Sequence, residues 1–359
     1  MKYLAITSLE EFERHRDQWD ALYHADPVAH LFLSSEWLKA HLAILPHEWT
    51  IHVLADGDTF VGALATSTRA VPHRLLPIAR EVRFATDPFA EYQGMLARPA
   101  RESEVVAELA AVLKSAAWQW MKLRDVRDAR VADMVERLAA AEHVQLRRGP
   151  ASTSYQIDLP NTYDALLERH SKPTRRALRR GLKMMRAELP NFRITRAPDG
   201  DADRHIETVV GLNSARWHTS TLRRGRLIAL YRNAYREGIA RFIVLWDGTR
   251  PISGGAALID PVTSTFGFAL VAHDDEYARM SPGKAVFALF LQDAIELGYR
   301  NFDFLRGEGG YKPPFATRTS ASFAFELVRS GVRGAALQAL SPAYDVAKKA
   351  IVRVAMRAR

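Results

Sequence analysis

Two short stretches of this chain hold side chains that could do chemistry together. One is Ser281-Pro282-Gly283-Lys284; the other, a helix's length further on, is Asn301-Phe302-Asp303-Phe304-Leu305-Arg306 followed by Gly307-Glu308-Gly309-Gly310-Tyr311-Lys312. In the second, Phe302 and Phe304 alternate with Asp303 and Leu305 at the period of a buried strand. Gly307, Gly309 and Gly310 then let the backbone turn sharply beside a ligand. A carboxylate, a guanidinium, a phenol and an ammonium thus arrive at one strand end, where open α/β sheets hold what they bind.

The element that must place the first stretch is a helix. Ser281 is expected as its N-cap and Pro282 as its first residue, with Val286, Leu289, Phe290 and Leu297 forming an apolar stripe that stops at Gly298. Its charges run against the macrodipole, with Lys284 in the first turn and Asp293 and Glu296 toward the end. A helix start kept bare and positive suits an anion such as a pyrophosphate. The competing account of Lys284 is a solvated surface lysine.

With these residues in hand, the stretch from about Tyr163 to Phe315 resembles the acetyltransferase-like domain of the CelD family of cellulose biosynthesis, a branch of the GNAT acyltransferases related to the Fem peptidyltransferases. The resemblance is carried by HSKPTRRALRRGLKMMR, the pair Arg216-Trp217, ARFIVLWDGTRPISGGAALI, the SPGKA helix start, and GYRNFDFLRG followed by YK, in that order. The family's pyrophosphate loop reads Q/RxxGxG/A. Here Met280-Ser281-Pro282-Gly283-Lys284-Ala285 keeps both small residues but has Met280 in the first place, with Arg279 beside it as a substitute.

The resemblance implies an α/β (mixed α+β) fold of tandem GNAT-like domains, each a mixed twisted sheet flanked by helices. It implies acyl-CoA, acetyl-CoA or longer, or an acyl-carrier thioester as donor, held by Arg279, Met280, Ser281, Gly283, Lys284 and Ala285. It also implies a strand, here Thr265 to Ala272 ending at His273-Asp274, that splays from its neighbour and offers backbone N–H groups to the donor. Acyl transfer to an amine needs a base and a hydrogen-bond donor for the oxyanion. Asp303 is a candidate base, or else a buried carboxylate paired with Arg306. His273 titrates in the useful range, or is structural. Tyr311 could protonate the leaving thiolate, or pack. Arg216, Trp217, Arg306 and Lys312 are candidate acceptor-binding residues, the alternatives being a core role for Trp217 and solvation for Lys312.

Composition narrows the field. The chain has 359 residues, enough for two domains, and no cysteine, which excludes disulfides, thiolate catalysis and Cys-ligated metals. No apolar run approaches the roughly 18 residues of a membrane span, and MKYLAITSLEEFERH lacks a signal core, so a cytoplasmic location is expected, free or peripheral at the inner membrane face. HExxH, GxSxG, GxxxxGK[ST] and GxGxxG after a strand are all missing, and the histidines do not cluster, so no metal is expected.

Lysine and arginine exceed aspartate and glutamate by 50 − 41 = +9, and the excess is local. Arg169 to Arg186 holds eight basic residues and no acid, while Leu178, Leu182, Met185 and Leu189 share one face. Such a helix could meet a nucleotide phosphate, an acyl-carrier protein, an anionic membrane or tRNA.

The chain also repeats itself. His52-Val53-Leu54-Ala55-Asp56-Gly57 leading to Val61-Gly62-Ala63-Leu64 is echoed by Ile243-Val244-Leu245-Trp246-Asp247-Gly248 leading to Ile252 and beyond, each a hairpin with an Asp-Gly turn. Trp120 to Arg127 echoes Tyr299 to Arg306. The first copy has acids at its helix start near Ser103-Glu104 and no glycine-rich loop, so it is expected to shape the acceptor site while the second holds the donor. The expected division is an N-terminal degenerate GNAT-like domain over 1–150, a C-terminal GNAT-like domain over 151–330, and a basic amphipathic helix over 331–359.

The function expected is N-acyl transfer to a small-molecule or glycan amine, in envelope or exopolysaccharide metabolism by the resemblance. A Fem-like transfer from aminoacyl-tRNA, using the Arg169 to Arg186 helix for the RNA, and a non-catalytic binding protein of a membrane-associated synthase complex are the alternatives.

Overall fold

The computed structural model describes residues 1–73, 76–141, 143–150, 152–197, 201–307 and 310–329. The expected helix over 331–359 and residues Glu308 and Gly309 of the glycine loop lie outside them. In chain order the first half holds β1 (Lys2–Ile6), α1 (Leu9–Arg14), α2 (Arg16–Ala25), α3 (Ser35–Leu42), β2 (Glu48–Asp56), β3 (Thr59–His73), β4 (Leu76–Phe84), β5 (Leu96–Ala97), α4 (Glu102–Ser115), β6 (Trp120–Val126), α5 (Ala129–Ala139) and β7 (Val144–Arg148). The second half holds β8 (Ser152–Asp158), α6 (Tyr163–Glu168), α7 (Lys172–Glu188), β9 (Phe192–Ala197), α8 (Ala202–Trp217), α9 (Thr221–Arg236), β10 (Ala240–Asp247), β11 (Arg250–Asp260), β12 (Thr265–His273), α10 (Pro282–Glu296), β13 (Asn301–Arg306) and β14 (Arg318–Arg329).

One mixed sheet runs through both halves in the order β1-β2-β3-β4-β6-β14-β8-β13-β12-β11-β10-β9. The long strand β14 joins them: Arg318 to Ser322 pairs with β8, and from Phe323 onward it pairs with β6 and, alongside, β7. The repeat read in the sequence is present in the backbone. Both hairpins turn at Asp-Gly, with Gly57 at φ 58° and Gly248 at φ 57°, and each carries a register shift just before the turn, at Leu54/Ala55 and at Leu245/Trp246. Positive φ at the glycine is what a short hairpin turn demands.

The second half packs around α10. Val286, Phe287, Leu289, Phe290 and Leu291 are all buried, so the helix is apolar nearly all round rather than along one stripe. Leu297, expected in that stripe, is instead 58% exposed, because the helix ends at Glu296 and the chain turns away through Gly298 at φ 81°. Phe266, Phe268, Phe287, Phe302 and Phe304 close the core beneath it with ring centroids 5.2–5.9 Å apart. Full burial of each such ring contributes about 1.5–3 kcal/mol. On β11, a Cβ at Gly255 would stand 2.6 Å from Val286, so the missing side chain lets α10 press directly onto the sheet.

Candidate active site

The pair β12 and β13 is parallel for three residues only, Thr265, Phe266 and Gly267 against Asn301, Phe302 and Asp303; beyond that the strands part. Two local irregularities open the gap. On the β11 side, Ala256 pairs with Leu270 but Ala257 with Phe268, so Ala269 is an extra residue that bulges β12. On β13, pairing to β8 shifts between Asp303 and Arg306, and Leu305 adopts φ 56°, a left-handed conformation uncommon for leucine.

Asp303 explains that conformation. It is 2% exposed, and its Oδ1 accepts from the N–H of Leu305 at 2.8 Å and from the Tyr92 hydroxyl at 2.9 Å, while Oδ2 accepts from Gln156 Nε2 at 2.8 Å. Arg127 Nη1 lies 3.7 Å away. The carboxylate is a tie between strands and between halves, with both oxygens engaged. Its expected structural partner, Arg306, is elsewhere: Arg306 Nε donates to Glu91 Oε2 at 3.0 Å, its backbone N–H reaches the same oxygen at 3.3 Å, and its Nη1 pairs with Asp125. Strand alternation sends Asp303 and Arg306 to different surroundings, which overrides their nearness in sequence. Lys312, 6% exposed, donates to the carbonyls of Phe304 at 3.1 Å and Arg306 at 3.0 Å and so satisfies a strand end that no neighbouring strand covers among the described residues; burial lowers its pKa from the usual lysine range. It is not a solvated lysine. Tyr311 packs edge-on against Phe287 and Phe304.

At the far end of β12, Arg216 Nη1 sits 3.0 Å from His273 Nδ1. Burial, with the Arg216 charge, lowers the His273 pKa and favours the neutral ring, whose two nitrogens lie 3.0 and 3.2 Å from the guanidinium. A Cβ on Gly283 would meet His273 Nδ1 at 3.6 Å, which places this pair beside the start of α10. Trp217 is not core: it is 68% exposed.

The start of α10 differs from expectation in one respect. Ser281 holds the N-cap position as expected, but with φ 53° and ψ 50° and no side-chain cap bond, and it joins the short 3-10 turn Asp275–Met280 to the helix. Met280 is buried, and Arg279 pairs with Glu188 on α7. The N–H groups of Lys284 and Ala285 turn back to Ser281 O, at 3.0 and 3.3 Å.

What the structure adds is the placement of α7. Its Ser171 caps the helix through the N–H of Thr174, Leu178 and Met185 are buried, and the basic face is left outward. A Cβ on Gly181 would stand 2.9 Å from Met280 O and 3.1 Å from Ser281 O, so this glycine lets α7 lie flush against the loop before α10. Between the two helices runs a groove of about 800 Å³ lined by Lys172, Arg175, Arg176, Arg179, Arg180, Lys183, Ser281 and Lys284. Among the described residues only Arg179 of these cations has a carboxylate partner, Asp164 at 3.7 Å. Such a cluster repels itself and is offset by an anion.

A second cavity, of about 450 Å³, opens on the bulged side of β12. It touches Ala269, Leu270, Trp217, Arg223, Tyr231 and Arg306, and receives Trp37, Phe89 and Glu91 from the first half. Sequence reasoning missed all three of these. Glu91 sits on a segment without helix or strand period, and nothing local signals that it meets Arg306.

Parallel strands that part after three pairs beside the start of their crossover helix, in a chain whose two halves repeat one topology, define a tandem GNAT fold. Residues 171–313 match the family model of the acetyltransferase (GNAT) domain, so the second half carries a GNAT-type acyltransferase domain. Solved structures with this fold include FemX, at 13% identity over 91% of this chain and 97% of that one with a TM-score of 0.60. A tandem GNAT protein from the clavulanic acid biosynthesis pathway aligns at 13% identity over 92% and 99%, TM-score 0.54. L-PGS from Bacillus licheniformis aligns at 11% over 88% and 93%, TM-score 0.51. No curated protein matches the sequence. At these identities the likeness is one of fold. Among the described residues no helix is long and apolar enough to cross a membrane.

Proposed function

We propose that the chain is an N-acyltransferase that draws a thioester donor, acyl-CoA or an acyl-carrier thioester, into the gap between β12 and β13. The observation that carries this reading is the meeting of the α7 groove with the start of α10. Cations that, Arg179 apart, have no carboxylate partner among the described residues line one wall, and the positive end of a helix dipole forms the other. The donor's phosphates rest there, with Gly283 and Lys284 nearest. The pantetheine follows the bulged edge of β12, and the thioester carbonyl comes to lie by the parted strands. The amine attacks from the cavity containing Glu91 and Trp217. Arg216 and His273 line the passage between the two.

The length of the cationic face favours a second reading. Lys172, Arg175, Arg176, Arg179, Arg180 and Lys183 extend over 12 residues of helix, about 17 Å end to end, which also suits the backbone of a charged tRNA, as the Fem alternative requires. An envelope or exopolysaccharide acceptor rests on the CelD resemblance alone.

The test is a calorimetric and thermal-shift panel of acetyl-CoA, a long-chain acyl-CoA, CoA and uncharged tRNA, on the wild type and on a variant with Arg175, Arg176, Arg179 and Arg180 replaced by Gln. A ligand that binds only the native state must raise the melting temperature. Acyl-CoA stabilisation with a modest loss in the variant is expected. Stabilisation by tRNA alone, abolished in the variant and steep in salt, would replace the first reading by the second.

A further inference from the structure

We propose that the turn between α8 and α9 docks on an anionic lipid leaflet, seating Trp217 and Leu222 at its headgroup boundary while Arg216, Arg223, Arg224 and Arg226 meet its phosphates. The inference goes beyond the acyl-transfer reading and does not depend on a bound donor.

Trp217 and Leu222 are the two most exposed large apolar side chains among the described residues, at 68% each, and they stand on either side of one turn. Scattered apolar residues on a surface are ordinary; a tryptophan and a leucine brought together at one turn are not scattered. The turn is firmly built. His218 takes φ 49° and ψ 44° to end α8, the Thr219 N–H donates to Ser214 O at 3.0 Å, and the Ser220 side chain caps α9 through the N–H of Arg223. Behind it Val209, Val210, Leu230, Tyr231 and Ala234 are buried, so the exposed pair stands on a fixed root.

Charge names the partner. From Ala215 to Arg226 the chain has four arginines and no acid, and none of the four has a carboxylate partner among the described residues. The first turn of α9 holds Arg223 and Arg224 and no acid, which sets cations at the positive end of the helix dipole. That arrangement is unfavourable in water and is offset by anions from outside. A leaflet of anionic lipid satisfies the whole set: indole at the membrane–water interface, leucine at the acyl boundary, and arginines attracted to the surface charge. RNA would take the arginines and stack on Trp217 but would leave Leu222 in water. A stable protein interface needs about 800 Å² per partner, and the apolar part here is two side chains. His218, Thr219 and Ser220 also line the cavity on the bulged side of β12, so docking holds the mouth of that cavity against the leaflet.

The experiment measures co-sedimentation of the full chain with vesicles of one quarter phosphatidylglycerol in phosphatidylcholine, and with vesicles of phosphatidylcholine alone, together with tryptophan emission. Binding to the anionic vesicles only, with a blue shift that Trp217→Phe removes, is expected. Leu222→Ser should weaken partitioning about tenfold and Arg224→Gln about fivefold. Melting temperature should hold in both, since both side chains are exposed and neither lines the cavity; if Leu222→Ser melts early, Leu222→Ala takes its place. No binding to the anionic vesicles would overturn the proposal. Undiminished binding in the Leu222→Ser, Arg224→Gln double variant would also overturn it, by moving the contact elsewhere, the basic segment 331–359 included. So would binding of tRNA, without vesicles, that the double variant loses. CoA affinity, measured separately, tests the donor reading.

Discussion

The two halves of the molecule contain the same device and use it differently. In the first, β4 and β6 run parallel for three pairs, Glu81, Val82 and Arg83 against Trp120, Met121 and Lys122; in the second, β12 and β13 do the same. Beyond the third pair, both sets of strands part. In the first half the chain fills its own gap: Gln93 bridges to Val126, with its N–H donating to Asp125 O at 3.0 Å and its carbonyl accepting from Arg127 at 3.2 Å. In the second half no strand enters among the described residues, and the end of β13 is satisfied by Lys312. The helix starts differ to match. Near the start of α4, Glu102 and Glu104 sit as a lone helix prefers, Glu104 paired with Arg101, whereas α10 begins with no acid and faces the cations of α7. A plugged gap with a neutralised helix start leaves no room or charge for a donor. The segment that plugs it also carries Tyr92 to Asp303 and Glu91 to Arg306, so the first copy holds the strand edge of the second.

This contrast can be broken at several points. The largest effect is expected at Asp303→Asn. The amide cannot accept from Tyr92, Gln156 and Leu305 as the carboxylate does, so stability should fall by about 2–4 kcal/mol and single-turnover acyl transfer by roughly 10² as β13 loses its left-handed residue. Melting temperature and turnover measured on one preparation separate the tie from a base: a normal melting temperature with the rate lost would make Asp303 a proton acceptor.

Next comes Gly283→Asp, which sets a negative charge where the proposed donor's phosphates would rest. A drop in CoA affinity of about 10- to 100-fold is expected, with the fold intact, since a Cβ there meets only ordinary contacts at 3.6 Å. The matched change in the first half, Glu104→Gln, should leave CoA affinity alone. Equal effects from both would erase the distinction between the copies.

Gly181→Ala should act more gently, because its methyl must push against Met280 O at 2.9 Å and tilt α7 away from the loop. A several-fold loss of donor affinity, on the scale of about 1 kcal/mol, with amine binding preserved is the expected pattern. Loss of both would mean that α7 supports the whole domain instead of the donor groove.

A further effect, confined to acid, is one of pH. Burial pushes His30 and His41 down to about 3 and His52 down to about 4, and all lie in the first half. Each binds a proton more weakly when folded than when unfolded. The stability they contribute is therefore complete above pH ~6.5 and is lost as pH falls toward 4 and 3. Hydrogen exchange followed across pH 7 to 4 should show the first half loosening before the second.

Much of this architecture could be read along the chain because its signals are local. Asp-Gly turns, the alternation of Phe302 and Phe304, and the reversed charge of α10 each depend on neighbours within one turn or one hairpin. The basic helix was legible for the same reason, since Leu178 and Met185 mark its packed face. Ser281 takes the N-cap position its type suggests, but with a left-handed backbone and no side-chain cap bond. The pairing of Asp303 with Arg306 misled because proximity in sequence says nothing about side-chain direction at a bulge.

By itself the sequence determined the repeated α/β unit, the strand ends and the charge of the donor side, all set by propensity, periodicity and composition. Only the tertiary structure decided that α7 lies against the start of α10, that the first copy's gap is plugged, and that Glu91 and Tyr92 reach residues more than 200 positions away, at separations of 215 and 211. Contacts of that range depend on how whole sheets meet, and on a glycine such as Gly181 whose value is the space it leaves. No single residue encodes either.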